Sequence, residues 1–177
     1  MTPDDLSGFS LAEIARLAAD RKLPPVERWD PAYCGHSGMR IARDGTWFHD
    51  GSPIGRPAMV RLFASILRRE PDGGFVLVTP VEKLAIDVED APFVAVEVKA
   101  EGEGAERSLA FRLNTGDLVL AGPDRPLRLD GARPYLAVRP GLDALIVRPV
   151  YYELAEMGLA EGGVWSGGAF FPLAGGE

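Results

Sequence analysis

The chain has 177 residues, 46% hydrophobic and 25% charged, with a formal net charge of −7, a profile that excludes disorder as its main state. Its 21 glycines and 15 prolines favour short turns over long helices and argue against a helical bundle. No run approaches the ~18 apolar residues of a membrane span, the N-terminus opens acidic where a signal peptide opens basic, and Cys34 alone permits no internal disulfide; a cytoplasmic location is the expectation.

Ser10-Leu-Ala-Glu13 has the spacing of a capping box, and Leu11, Ile14, Leu17 and Ala18 follow at helical steps. Residues 10–21 therefore read as an amphipathic helix with a narrow apolar stripe that docks on a sheet, closed before Pro24-Pro25. Next comes a hairpin over 39–43 and 46–49, with Asp44-Gly45 as a tight type I′ turn, and a second turn at Asp50-Gly51-Ser52-Pro53. Pro57 suits the first position of a helix, and Met59, Val60, Phe63, Ile66 and Leu67 carry three- and four-residue steps as far as residue 70. Beyond Pro71-Asp-Gly-Gly74 the pattern changes to strands: 75–79, 83–88, 93–99, 106–113, 117–121, 126–130, 134–139 and 142–148. Such regular short spacing indicates an antiparallel roll or partly open barrel. Pro149 opens a last helix over 149–157, and the glycine-rich, aromatic stretch 162–171 is expected to fold back as a strand or loop. Shifted by 92 positions, Ile54-Gly-Arg-Pro57 lies on Ile146-Val-Arg-Pro149, which marks either an internal duplication or the recurrence of proline at helix starts.

The negative charge argues against DNA, RNA or anionic lipid, which need a local excess of Lys and Arg. All of the excess falls after residue 72, whereas Arg40, Arg43, Arg56, Arg61, Arg68 and Arg69 outnumber Asp44, Asp50 and Glu70 within 31–70. A small anion is therefore admissible in the first part. Cys34, His36 and His49 are too few and too irregularly spaced for a zinc site, so no metal and no cofactor are expected. A Cys34 nucleophile would need His36 or His49 as its base, and Glu82, Asp87, Glu89 and Asp90 read as a solvated acidic stretch. No glycine motif cradles a dinucleotide or triphosphate, and no serine stands in a nucleophile elbow. Arg40, Arg56, Lys83 and Arg112 are the candidates to grip an anionic group, and Trp47 or His49 to lie against the rest of the ligand.

The string CGHSGMRIARDGTWFHDGSPIGRPAMVRLFASILRRE, followed by VTPVEKLAIDVEDAPF and FRLNTGD, resembles a bacterial family of uncharacterised proteins, domain of unknown function 1285, from about residue 23 onward. The resemblance implies no known activity. It implies two domains with an internally duplicated core, a C-terminal part pleckstrin-homology-like in outline, a nucleotide-related ligand at the domain interface, and a role in signal transduction or stress response. Family members tend to be more acidic near the position of Ser37, so a carboxylate function there would be missing from this chain. The resulting expectation is an α+β protein of two small domains: 1–90 with helix, hairpin, helix and short sheet, and 91–177 as a strand-rich roll with a terminal helix. In function it is expected to be a non-enzymatic regulator that binds a small anionic ligand between the domains. The alternatives are a protein-interaction module without a small-molecule ligand, working through the glycine-aromatic tail or an open strand edge, and a hydrolase using paired carboxylates.

Overall fold

The computed structural model describes residues 5–173. It is α+β, mostly strands with three helices and one sheet curled into a half-barrel. Two compact units divide it: Lys22–Pro92 with Pro140–Leu142, and residues 5–21 with Phe93–Arg139 and 143–173. Among the described residues no helix is long and apolar enough to cross a membrane.

Helix α1 (Leu11–Asp20) starts where the capping box places it, the Ser10 hydroxyl accepting the Glu13 amide at 3.2 Å, a cap worth about 1 kcal/mol. It does not group with the domain that follows it in sequence. Leu6, Leu11 and Ile14 bury against Ala110, with Phe9, Leu118 and Leu120 around them, so the helix belongs to the later unit. The sequence shows a helix with one apolar stripe; it does not show which sheet offers the matching face.

In the 22–92 unit the strands are β1 (Tyr33–Ile41), β2 (Trp47–His49), β3 (Ser52–Pro53), β4 (Leu67–Arg69), β5 (Phe75–Val78) and β6 (Lys83–Val88), ordered β3-β2-β1-β6-β5-β4. Helix α2 (Pro57–Ser65) lies between β3 and β4 in the chain and ends five residues short of the expected 70. The helical spacing runs on through Ile66 and Leu67, but Leu67 pairs with Leu77 in the sheet, and tertiary pairing outweighs a local period. The turns around β2 also differ from expectation. At Asp44-Gly45 the Gly45 amide donates to Ala42 and the Ala42 amide to Thr46, with a left-handed φ of 92° at Gly45 alone. That is a type I turn closed by a bulge. The type I′ turn is the next one, where His49 pairs with Ser52 and Asp50 and Gly51 have φ of 48° and 85°.

The other sheet consists of β7 (Phe93–Glu101), β8 (Ser108–Leu113), β9 (Leu118–Leu120), β10 (Leu127–Asp130), β11 (Arg133–Arg139) and β12 (Leu142–Ile146), ordered β10-β11-β12-β7-β8-β9. Helix α3 (Arg148–Met157) follows, then the hairpin β13 (Gly163–Ser166) and β14 (Ala169–Pro172). The aromatic tail thus folds back as strands, and the Tyr151 hydroxyl donates to the Leu173 carbonyl at 2.7 Å. Leu109, Phe111 and Leu113 are fully buried on one face of β8. Ala110 and Arg112 alternate onto the opposite face, beneath α1.

Numbered within its own unit, each sheet runs 3-2-1-6-5-4, with its first and last strands parallel at the centre. The 92-residue shift does not relate these sheets. It places the start of α2, after a third strand, on the start of α3, after a sixth, whereas the equivalent opening strands begin at Tyr33 and Phe93, 60 residues apart.

Candidate functional site

The most irregular polar surface lies on β1. Against β6 the pairing runs Tyr33–Lys83, His36–Ala85, Arg40–Asp87 and Ile41–Val88, with register breaks on both sides of His36. Eight steps along β1 thus match five along β6. The extra residues form bulges at Gly35 and Gly38, which have φ of 111° and 75°, and bulges re-aim the side chains beside them. Gly38 is favoured by its φ, and a Cβ there would meet the Asp50 Oδ1 at 2.4 Å and push that exposed side chain aside.

Around the bulges stand both histidines of the chain. The Gly38 amide donates to His36 Nδ1 at 2.8 Å, so in the neutral ring the proton sits on Nε2, which faces Asp87 Oδ1 at 3.2 Å. His49 Nε2 lies 3.6 Å from Asp50 Oδ2. Arg40 stacks 4.4 Å over the Phe48 ring and donates to Glu89 Oε1 at 2.5 Å, while Glu89 Oε2 accepts the Arg43 amide at 2.9 Å. Asp87 and Glu89, expected to face only water, are therefore the partners that orient His36 and Arg40. Cys34 is exposed and donates to the Ala32 carbonyl at 3.1 Å. Its hydrogen bond goes to backbone, and both nitrogens of His36 are engaged elsewhere, so Cys34 and His36 do not form a nucleophile–base pair. Among the described residues no group of three His, Cys, Asp or Glu is arranged to hold a metal.

Of the six residues expected to bind ligand, Arg40, Trp47 and His49 share the β1–β2 hairpin. Trp47 is 2% exposed and forms part of the core; its buried indole N–H meets no acceptor among the described residues. Lys83 is half-buried at the start of β6, opposite Tyr33 and Val78. Arg56 is exposed at the N-cap of α2 without a side-chain capping bond. Pro57 has no N–H, and the Met59 and Val60 amides both donate to the Arg56 carbonyl, so this helix start offers an anion little beyond the guanidinium. Arg112 belongs to the other unit, on β8, where its Nε donates to Glu97 Oε1 at 3.3 Å.

Sequence reasoning assigned Glu97 and Lys99 only to one face of a strand. Glu97 Oε1 also accepts the Leu6 amide at 2.6 Å, Glu101 Oε1 accepts the Leu11 amide at 3.0 Å, and Lys99 donates to the carbonyls of Leu6, at 3.3 Å, and Phe9. The signal for this was the alternation of Glu97, Lys99 and Glu101 on a strand whose other positions are apolar.

The family model "Domain of unknown function (DUF1285), N-terminal domain" matches residues 24–91, and "Protein of unknown function (DUF1285), C-terminal domain" matches 92–173. No curated protein matches the chain. The crystal structure of a DUF1285 family protein from Silicibacter pomeroyi DSS-3 is 49% identical, covers 93% of this chain and 94% of its own, and superposes with a TM-score of 0.80. A second, from Shewanella baltica OS155, is 28% identical over 68% of this chain and 92% of its own, with a TM-score of 0.57. With its two successive halves matching the two parts of that family, the chain belongs to the DUF1285 proteins.

Proposed function

We propose that this protein is a non-enzymatic regulator that acts by binding another protein, with the apolar side of α2 as its contact surface. The observation that carries the reading is the composition and exposure of that helix. Of Pro57–Ser65 only Ala64 is buried; Leu62 and Met59 are 61% and 39% exposed; and Arg61 is the single charged residue. A surface helix ordinarily turns its charged side to water, and contiguous exposed apolar residues mark contact sites. A cytoplasmic role in signal transduction or stress response belongs to the same reading. So does descent of the two units from one duplicated module, supported by their common strand order, with the later unit pleckstrin-homology-like in outline.

The test is a photo-crosslinking residue at position 62 in the source bacterium, followed by purification of the partner it captures. Leu62→Asp and Met59→Asp are expected to weaken the purified complex at least tenfold while leaving thermal unfolding in place. Equal binding by both variants rejects the surface.

The small anionic ligand, with a nucleotide among the candidates, keeps one observation in its favour. Arg40 and Arg112 are tied to carboxylates, but Arg56 is exposed and among the described residues no carboxylate pairs with it. A ligand at one hundred times its dissociation constant adds about 2.7 kcal/mol of stability. A thermal shift with a nucleotide at millimolar concentration that disappears in Arg56→Ala would move the assignment to this reading.

A further inference from the structure

We propose that the face of β7, β8 and β9 beneath α1 is a docking groove for an amphipathic helix, and that the N-terminal segment fills it in cis as a displaceable strap. This surface is separate from α2 and stands or falls independently of it.

Three observations support the inference. First, Glu97, Lys99 and Glu101 hold the strap by its main chain, beside the apolar packing of Leu6, Leu11 and Ile14. Glu97 and Glu101 accept the amides of Leu6 and Leu11, and Lys99 donates to the carbonyls of Leu6 and Phe9. Bonds to amides and carbonyls do not read side chains, so another helix with the same apolar spacing can take the same place, as in other helix-in-groove recognition. Second, the face tolerates exposure. Its apolar part is Ala110, Leu118 and Leu120, bordered by Glu97, Lys99, Glu101 and Arg112, so removing the strap returns charged as well as apolar side chains to water. The strap gains by burying Leu6, Leu11 and Ile14, and the conformational entropy of ordering residues 6–21 opposes that gain. Third, the two family models span 24–91 and 92–173, so the strap lies outside the sequence that defines both halves.

The partner that fits is a short helix with apolar residues at the spacing of Leu11 and Ile14, an apolar residue five positions ahead of its first turn like Leu6, and a cation after its last turn. In this chain that cation is Arg21, which pairs with Asp117.

The experiment uses the full chain. Hydrogen exchange on the unaltered protein is expected to show the amides of 11–20 opening together, at least a hundredfold faster than those of β8. A fluorescent peptide of residues 5–21 is expected to bind the Ile14→Asp protein at least tenfold more tightly than the unaltered one, where the strap competes, and to lose that affinity when Glu101→Gln is added. Exchange of 11–20 as slow as that of β8 overturns the proposal. So does failure of the peptide to bind Ile14→Asp while β8 stays protected; should Ile14→Asp unfold β8 as well, exchange on the unaltered chain decides alone.

Discussion

The two six-stranded sheets share a strand order, yet their opening strands are built for different work. β1 is broken twice against β6 and gathers polar residues that face one another: His36 with Asp87, Arg40 with Glu89, and nearby His49 with Asp50. β7 has one irregularity, between Ala95 and Glu97, and from there its alternate charged residues reach out to the main chain of another segment. A topology fixes where strands lie; bulges and side-chain alternation decide whether the exposed face is closed within the sheet or offered to something else. The sheet with the more conspicuous residues, two histidines and a cysteine, is thus the more self-contained one, and the sheet with ordinary surface charges holds a helix.

Emptying each core has the largest expected effect. Trp47→Ala and Phe111→Ala remove side chains that are 2% and 0% exposed, and each should lower stability by about 3–5 kcal/mol in denaturant titration. For Trp47 this separates a core role from ligand stacking, which would leave stability nearly unchanged. The next effect concerns how the first sheet closes its β4 edge. Arg68 donates to the carbonyls of Val26 at 2.7 Å and Trp29 at 2.6 Å while its Nε and Nη2 hold Glu70, pinning the turn whose Val26 and Trp29 cover Val76 and Val78. Arg68→Ala should cost about 1.5–3 kcal/mol, the range for bonds to a charged group. Arg112→Ala, on β8 of the other sheet, should cost less than about 1 kcal/mol and instead speed exchange at Leu6. Equal losses from the two arginines would erase the distinction between a closed sheet and an open one.

Much of the fold was legible because its signals are local. The Ser10 cap, the prolines at the starts of α2 and α3, and the turn residues between later strands each act within a few positions. The first half of β1 was not legible: Cys-Gly-His-Ser-Gly has no alternation, and its glycines read as a loop until β6 supplies the pairing. The end of α2 was misjudged because Leu67 satisfies a helical period and a strand pairing equally well, and only Leu77 distinguishes them. Nor could charge counting find the arginines' partners, since Glu89 lies 49 residues from Arg40 and Arg112 binds Glu97 on a neighbouring strand. Of the local excess of arginine in sequence, Arg40 is drawn to a distant carboxylate, Glu89, and Arg68 to a near one, Glu70.

A smaller loss is expected at the bulges themselves. Gly38→Ala forces a Cβ to within 2.4 Å of Asp50 Oδ1 at a φ of 75°, whereas Gly35→Ala, at a φ of 111°, meets nothing within 4 Å. Backbone strain alone costs about 1–2 kcal/mol, so both variants should lose that much, and Gly38→Ala slightly more because the Asp50 carboxylate must rotate aside. A neutral Gly38→Ala would show that the second bulge relaxes freely, and the contrast between β1 and β7 would then be one of sequence rather than of constraint.

The smallest effect separates the two turns around β2. The Asp50-Gly51 turn relies on left-handed backbone, whereas the Asp44-Gly45 turn relies on a side chain: the Thr46 amide donates to Asp44 Oδ1 at 3.0 Å. That backbone bond first, and the Thr46 side chain second, hold the Asp44 carboxyl below its ordinary value of 3.8. A folded pKa below the unfolded one means that the ionised carboxylate stabilises the native turn, a contribution fully present above 3.8 and lost as pH falls through the folded value. Because Asp44 is exposed, solvent screening keeps this below about 0.5 kcal/mol. The Thr46 amide resonance should therefore titrate with a midpoint under 3.8, and Asp44→Asn should abolish the titration while leaving the resonances of the Asp50-Gly51 turn in place. A midpoint at or above 3.8 would mean that the hook is open in solution, leaving Gly45 and the bulge to set the turn unaided.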